Sequence, residues 1–216
     1  MVDFSLWDIV RQLLLALRWT VGLSLIAFAG GSAVGLVLLV ARLAKLPGAA
    51  VCVSLYVQLF QGTPLLMQLF ICYFGLAMLG VDTSPLLAAS ICLILYTSAY
   101  LTEIWRGCVI AIPRGQWEAA ASLAMNLREQ LQHIIVPQAT RIAIAPTVGF
   151  LVQVIKGTAL TSVIGFVEMT KAGQMIANAT YEPFLVYSCV GLMYFALCYP
   201  LSIWSRRIER RLRVKY

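Results

Sequence analysis

The chain has 216 residues, of which 61% are hydrophobic and 12% charged, with a formal net charge of +7 and a mean hydropathy of +0.88. A soluble domain is roughly 45–50% apolar and about 25% charged, so this composition excludes a soluble enzyme, a disordered chain and a disulfide scaffold. Lys and Arg are dense only in the run 206–215, directly after an apolar stretch, which marks a cytoplasmic membrane flank and not a nucleic-acid-binding face.

In chain order, residues 4–18 of an N-terminal segment 1–18 read as an interfacial helix. Asp8, Arg11, Gln12 and Arg18 share one face, and Phe4, Trp7, Val10, Leu13, Leu14 and Leu17 line much of the rest. The acidic Asp3 and Asp8, with Arg18 inside the apolar run, do not suit a cleaved signal peptide. A spanning helix needs about 20 mostly apolar residues. Stretches free of charge run 19–41, 46–81, 83–102 and 183–205, and a fifth, 141–168, is interrupted internally only by Lys156. The first carries Ala27, Gly31 and Gly35 at four-residue spacing, a face that lets helices approach closely. The second is too long for one straight span. Gln58, Gln61, Gly62, Thr63 and Pro64 place its span near 62–80, with 48–60 as a lead-in or as a helix near the interface.

These are five spans, so the two ends lie on opposite sides. Arg42, Lys45, Arg106, Arg114, Arg128, Arg141 and the basic tail 206–216 fall on one side, and only Arg11, Arg18 and Lys171 on the other. The positive-inside rule then predicts an all-α membrane protein, a single domain over 1–216 with its N-terminus outside and C-terminus inside. The six cysteines form no C-x-x-C pair and read as small apolar filler, and one histidine cannot build an imidazole metal cluster.

The longest inside segment is 103–141. Pro113 and Gly115 stop any helix running in from the third span. A short helix is expected from Gln116 to Leu123. Asn126, with Glu129 three residues on, is an N-cap signature for a second, which Pro137 closes. Glu103 and Arg106, one turn apart at the inner edge of the third span, form a local ion pair or an anchor for this loop.

Here the motifs carry a resemblance. Glu118-Ala119-Ala120, a small residue four positions on at Ala124, and Ile134-Ile135-Val136-Pro137 resemble the EAA loop of ABC-importer permeases. The stretches 99–107 and 112–117, Gly62-Thr63-Pro64-Leu65-Leu66 and 155–160 resemble the polar amino acid (histidine, glutamine, arginine or opine) subgroup, and the likeness covers roughly residues 20–205. It implies a multi-pass subunit of a bacterial inner-membrane importer. Such a subunit pairs with a second permease, homodimeric or heterodimeric, sits on a cytoplasmic ABC ATPase dimer and receives an amino acid from an external binding protein. It also implies that Gln116, Trp117, Glu118, Ala119, Ala120, Ala124 and Pro137 belong to the ATPase-coupling loop. ATP and Mg would be bound by the partner ATPase, with no cofactor in this chain, which has no Gly-Lys dipeptide and hence no P-loop.

Three positions depart from the family pattern. Ala124 stands where the loop usually has Gly, so a neighbour such as Asn126 is expected to turn the chain. Gln61 replaces the usual Arg, and Gly157 and Ala159 replace Asp and Ser. Lys156, fifteen residues beyond Arg141, lies about 22 Å along a helix and faces protein or a water-filled cavity. It is expected to meet a substrate carboxylate or to be a structural or snorkelling cation. Gln58, Gln61, Gln68 and Cys72 share one face, as do Gln153, Lys156 and Thr161. These faces line the pathway or bond neighbouring helices, and Thr63, Thr158 and Ser162 are further candidates. The rival reading, a gradient-driven secondary transporter or channel, lacks its usual internal repeat and intramembrane carboxylates.

Overall fold

The computed structural model describes residues 5–44 and 48–212. These form eight helices and no strand: α1 (Leu6–Leu43), α2 (Ala49–Gly62), α3 (Leu65–Met78), α4 (Pro85–Ile110), α5 (Arg114–Ser122), α6 (Leu127–Ile164), α7 (Met169–Thr180) and α8 (Pro183–Leu212). Helices α1, α4, α6 and α8 are long and apolar enough to cross a membrane. The pair α2–α3, bent by 104°, is long and apolar enough only when taken together, as a broken span or a re-entrant loop, so the described residues hold four or five candidate spans.

Residues 6–18 are not a separate interfacial helix; they are the first turns of α1. Ser5 Oγ accepts from the Asp8 N–H at 3.2 Å, and the Asp8 carboxylate accepts from the Ser5 N–H at 3.1 Å. Nothing then interrupts the helix, which at about 1.5 Å per residue is roughly 57 Å long. The apolar face read as lipid-facing is partly covered by protein. Ile9 and Leu13 are fully buried against Met169, Ile176 and Ala177 of α7 and Val186 of α8. The basic run also departs from its reading as a tail, because up to Leu212 it is the last part of α8. Phe4 with the residues before it, Lys45, and 213–216 lie outside the described residues.

The small-residue face of α1 packs on α4 at near-backbone distance. A Cβ on Gly31 would stand 2.5 Å from Thr97 Cβ, and one on Gly35 would stand 3.1 Å from the Ser98 carbonyl. The Thr102 hydroxyl lies 2.7 Å from Ser98 O and 3.2 Å from Gly35 O, and shares its one hydrogen between them.

Two irregularities reshape the expected elements. Between α2 and α3, Pro64 has no N–H to continue the helix. Gln68 closes the gap: its amide nitrogen sits 2.8 Å from Phe60 O, 3.0 Å from Thr63 O and 2.8 Å from Thr63 Oγ1. In α6, Pro137 does not close a loop helix as expected. A π turn over Gln130–Ile135 widens the helix just before it, and the helix runs on without a break. It ends as a 3₁₀ segment, Thr158–Ile164, with Gly165 left-handed at φ 88°.

Replacing Gly31 by Leu should strongly destabilise the protein, because overpacking costs about 1–3 kcal/mol and here the obstacle is a β-branched side chain on a second helix. Thermal unfolding in detergent should show a clear drop in Tm for Gly31→Leu. Gly22→Ala, where a Cβ meets nothing within 4 Å, should leave Tm unchanged or raise it.

Candidate coupling face and pathway crevice

At one end of the bundle, α4 ends at Ile110, where the Ala111 N–H bonds back to Gly107 O at 2.9 Å. Pro113 is extended, and α5 starts immediately after it. One side of α5 holds it to the bundle. Ala120 is buried, and Trp117 is half-buried against a cluster of Val109, Ile112, Ile135 and Ala139. Trp117 therefore seats the helix, and is not a fully free contact residue. The other side is open. Glu118, Ala119 and Ala121 are exposed, and Leu123 is 74% exposed. Gln116 is exposed but accepts from the Gln138 amide at 3.2 Å, which ties α5 to α6.

The turn out of α5 corrects the expectation for Ala124. Ala124 itself is left-handed at φ 57°. Its N–H bonds to Ala121 O at 2.9 Å, and the Met125 N–H bonds to Ala120 O at 3.3 Å, which together make a Schellman closure. The strain of a Cβ in this region is about 1–2 kcal/mol. Asn126 instead caps α6, with its side-chain oxygen 3.0 Å from the Glu129 N–H and its own N–H 2.8 Å from the Glu129 carboxylate. Pro137 lies on the exposed side of α6, two residues past the π turn.

Glu103 does more than pair locally. It binds Arg106 through Oε1, with Nε at 2.7 Å, and Arg42 of α1 through Oε2 at 2.9 Å. Sequence spacing revealed the first partner. The second lies 61 positions away and leaves no local signal.

Of the residues assigned to a pathway, Lys156 and Gln153 meet in one crevice, and the others lie outside it. These two are exposed and line the crevice, of about 540 Å³, with Leu65, Tyr96, Tyr100 and Phe150. Tyr100 stacks on Phe150 at 5.1 Å between ring centroids, and Tyr96 lies 4.7 Å from Tyr100. Lys156 forms no ion pair among the described residues. Gly157 lets Leu65 approach, since a Cβ there would stand 3.2 Å from Leu65 Cδ2. Thr158 and Thr161 are fully buried and donate to Ile155 O and Thr158 O at 2.7 and 2.6 Å. The 3₁₀ segment turns them away from the crevice. Gln61 and Thr63 are exposed outside it, Thr63 donates to Leu59 O, and Gln68 is the clip at the break. The bend between α2 and α3 separates the face that Gln58, Gln61, Gln68 and Cys72 were expected to share.

Sequence reasoning missed the aromatic wall, although Tyr96 and Tyr100 one turn apart in a charge-free span were a signal. It also missed Glu168, read only as the end of a span. Glu168 is fully buried and caps α7. It accepts from the backbone of Thr170 and Lys171 and from the Tyr194 hydroxyl, each at 2.9 Å, with the Thr20 hydroxyl at 3.4 Å. Burial pushes its carboxyl above the usual range, while these donors pull the other way. No group of three or more His, Cys, Asp or Glu that could hold a metal occurs among the described residues.

Residues 50–214 match the family model described as binding-protein-dependent transport system inner membrane component. The chain belongs to that family. It is a transport permease subunit and not an enzyme, with ATPase activity lodged in separate ABC subunits. The permease is 34% identical to the L-cystine transport system permease protein TcyB of Bacillus subtilis (strain 168), over 95% of this chain and 91% of that one. It is 30% identical to the glutamine transport system permease protein GlnP of Escherichia coli (strain K12), over 97% of each. Among solved structures, it superposes with a TM-score of 0.92 on a chain of an amino acid ABC transporter crystallised with histidines, at 30% identity and covering 98% and 99% of the two chains. A chain of the MetNI methionine ABC transporter shares the fold at a TM-score of 0.76 and 19% identity, over 99% of this chain and 100% of that one.

The strained turn gives a direct test on the permease. Ala124→Gly should raise Tm or leave it unchanged, because the relieved strain offsets the extra freedom of glycine in the unfolded chain. Ala124→Val should lower Tm. A lower Tm for Ala124→Gly would mean that the left-handed turn is absent.

Proposed function

We propose that this permease carries an amino acid inward across a bacterial cytoplasmic membrane. It works with a second permease subunit, an ATPase dimer that binds ATP and Mg, and an external binding protein that delivers the substrate. The observation that carries this reading is the crevice. One cation, Lys156, stands beside a neutral amide, Gln153, and a stacked aromatic wall, with no carboxylate paired to it among the described residues. Such a site attracts the α-carboxylate of an amino acid while the wall accommodates its carbon skeleton. The amino-acid systems among the relatives support the same substrate class.

The charge asymmetry of the sequence puts the α5 end in the cytoplasm and the α7 end outside. The open face of α5, with Glu118, Ala119 and Leu123, is then the surface that docks on the ATPase. Trp117 and Ala120 seat it on the bundle, and the Glu103 clamp ties α4, which leads into it, to α1, so that a displacement of the ATPase moves the bundle and is not absorbed by the loop.

Two variants test the two halves of this reading. Glu118→Arg should insert and fold normally yet weaken ATPase association on the order of tenfold, a loss of about 1.4 kcal/mol, measured by co-purification. Undiminished association would remove α5 from the docking surface. Lys156→Met should keep its assembly with the ATPase and lose most transport of labelled amino acid in proteoliposomes. Normal transport would show that the cation does not serve the substrate.

A further inference from the structure

At the end of the bundle away from α5, α1 and α7 run side by side in opposite directions. Thr20 meets Met169, and Leu13 meets Gly173 two turns further out. The helices touch along Ile9, Leu13 and Ile176 but do not close completely. Beside that seam lies a crevice of about 450 Å³, lined on one side by Leu15, Arg18 and Trp19 and on the other by Val167, Met175 and Ile176. It is separate from the Lys156 crevice and shares no residue with it.

Its chemistry is mixed in a particular way. Leu15, Trp19, Val167 and Met175 are 48%, 44%, 48% and 56% exposed, so the walls offer apolar surface. Trp19 is set edge-on to Phe166 at 6.1 Å between centroids, which fixes one wall. The rim carries Arg18, whose guanidinium carbon lies 5.7 Å from the centre of the Trp19 ring. Among the described residues Arg18 makes no ion pair. Asp8, one turn before Arg11, caps α1 through Ser5, and Glu168, beside Thr20, is buried under its own donors. Two turns before Arg18, Arg11 adds a second exposed cation to α1. The crevice also continues into surface that needs an apolar solvent, because Leu15 and Ile26 lie on one line of α1, as do Leu14 and Leu25, and all four are exposed.

A ligand that suits this place has an apolar chain joined to an anionic head. Guanidinium groups bind phosphate oxygens in a fork that an ammonium cannot reproduce, and Trp at the edge of an apolar span marks the headgroup level. We propose that the crevice between α1 and α7 is a binding site for an anionic phospholipid, with the phosphate on Arg18 and an acyl chain running inward along Trp19 and Val167. The orientation proposed above makes it a lipid of the outer leaflet, but the site itself does not depend on that orientation or on the transported substrate.

The test uses the full-length permease, reconstituted with its ATPase in nanodiscs containing brominated phosphatidylglycerol or brominated phosphatidylcholine. Bromine quenches only tryptophan in contact with the chain, and the Trp19→Phe protein isolates the share due to Trp19. Brominated phosphatidylglycerol should quench Trp19 at several-fold lower mole fraction than brominated phosphatidylcholine. Arg18→Gln should abolish that preference with Tm unchanged, and Arg18→Lys should restore part of it. Should Arg18→Gln not fold, Ala172→Phe, which fills the crevice and leaves Arg18 in place, should remove quenching by both lipids. Equal quenching by the two lipids, or a preference that survives Arg18→Gln, overturns the proposal. Absence of quenching by either lipid would mean that another protein surface covers the crevice. Loss of the preference in millimolar inorganic phosphate would mean a site for free phosphate. Either result also overturns it.

Discussion

The near-backbone contact between α1 and α4 is the constraint on which the other positions depend. Gly31 and Gly35, about one turn apart, leave no room for a side chain between the helices, and this close approach sets the register of α1 on α4. Further out, it brings Thr20 within reach of Glu168, which caps α7 and also takes the Tyr194 hydroxyl of α8. At the opposite end, the same register brings Arg42 to Glu103. Each end of the bundle thus has a polar lock whose alignment depends on apolar contact in the middle. Small residues suit this role in lipid, where helix association rests on close packing and not on the expulsion of water.

The α5 face is rigid because its backbone groups are accounted for at both ends of the turn. The Schellman closure satisfies the last carbonyls of α5, and the Asn126–Glu129 box satisfies the first N–H groups of α6. The Gln116–Gln138 bond and the seat of Trp117 add side-chain ties. A nine-residue helix would be marginal alone, and here it is stabilised by the elements on either side. That α6 continues unbroken from this turn to the Lys156 crevice gives the proposed coupling surface and the proposed pathway one common lever.

The spans were legible because absence of charge over about 20 residues has one physical meaning, and the Asn126 cap was legible because its chemistry is local. The misreadings share a cause. Residues 6–18 are amphipathic, but amphipathicity does not say whether lipid or protein covers the apolar face, and α7 and α8 cover part of it. Pro137 reads as a stop because the π turn that accommodates it has no sequence mark. Thr161 was grouped with Lys156 on α-helical geometry, yet the helix tightens to 3₁₀ at Thr158. Gln68 looked like a pathway residue because a polar side chain in a span has two uses, and the bend at Pro64 decides for the structural one. Glu168 was passed over because its donors come from backbone and from helices far away in sequence.

Lys156, which has no ion-pair partner among the described residues, has a consequence for insulation. An importer must not let protons or sodium follow its cargo, because either would discharge the membrane. At an effective dielectric of about 20, a fixed positive charge repels a monovalent cation 10 Å away by about 1.7 kcal/mol, and it does so whether or not substrate is present. If the pathway passes this side chain, the crevice is hostile to the ions most abundant around it. A zwitterion, whose carboxylate masks the charge, crosses at lower cost. The lysine would then act as the pathway's electrical seal as well as its point of attraction.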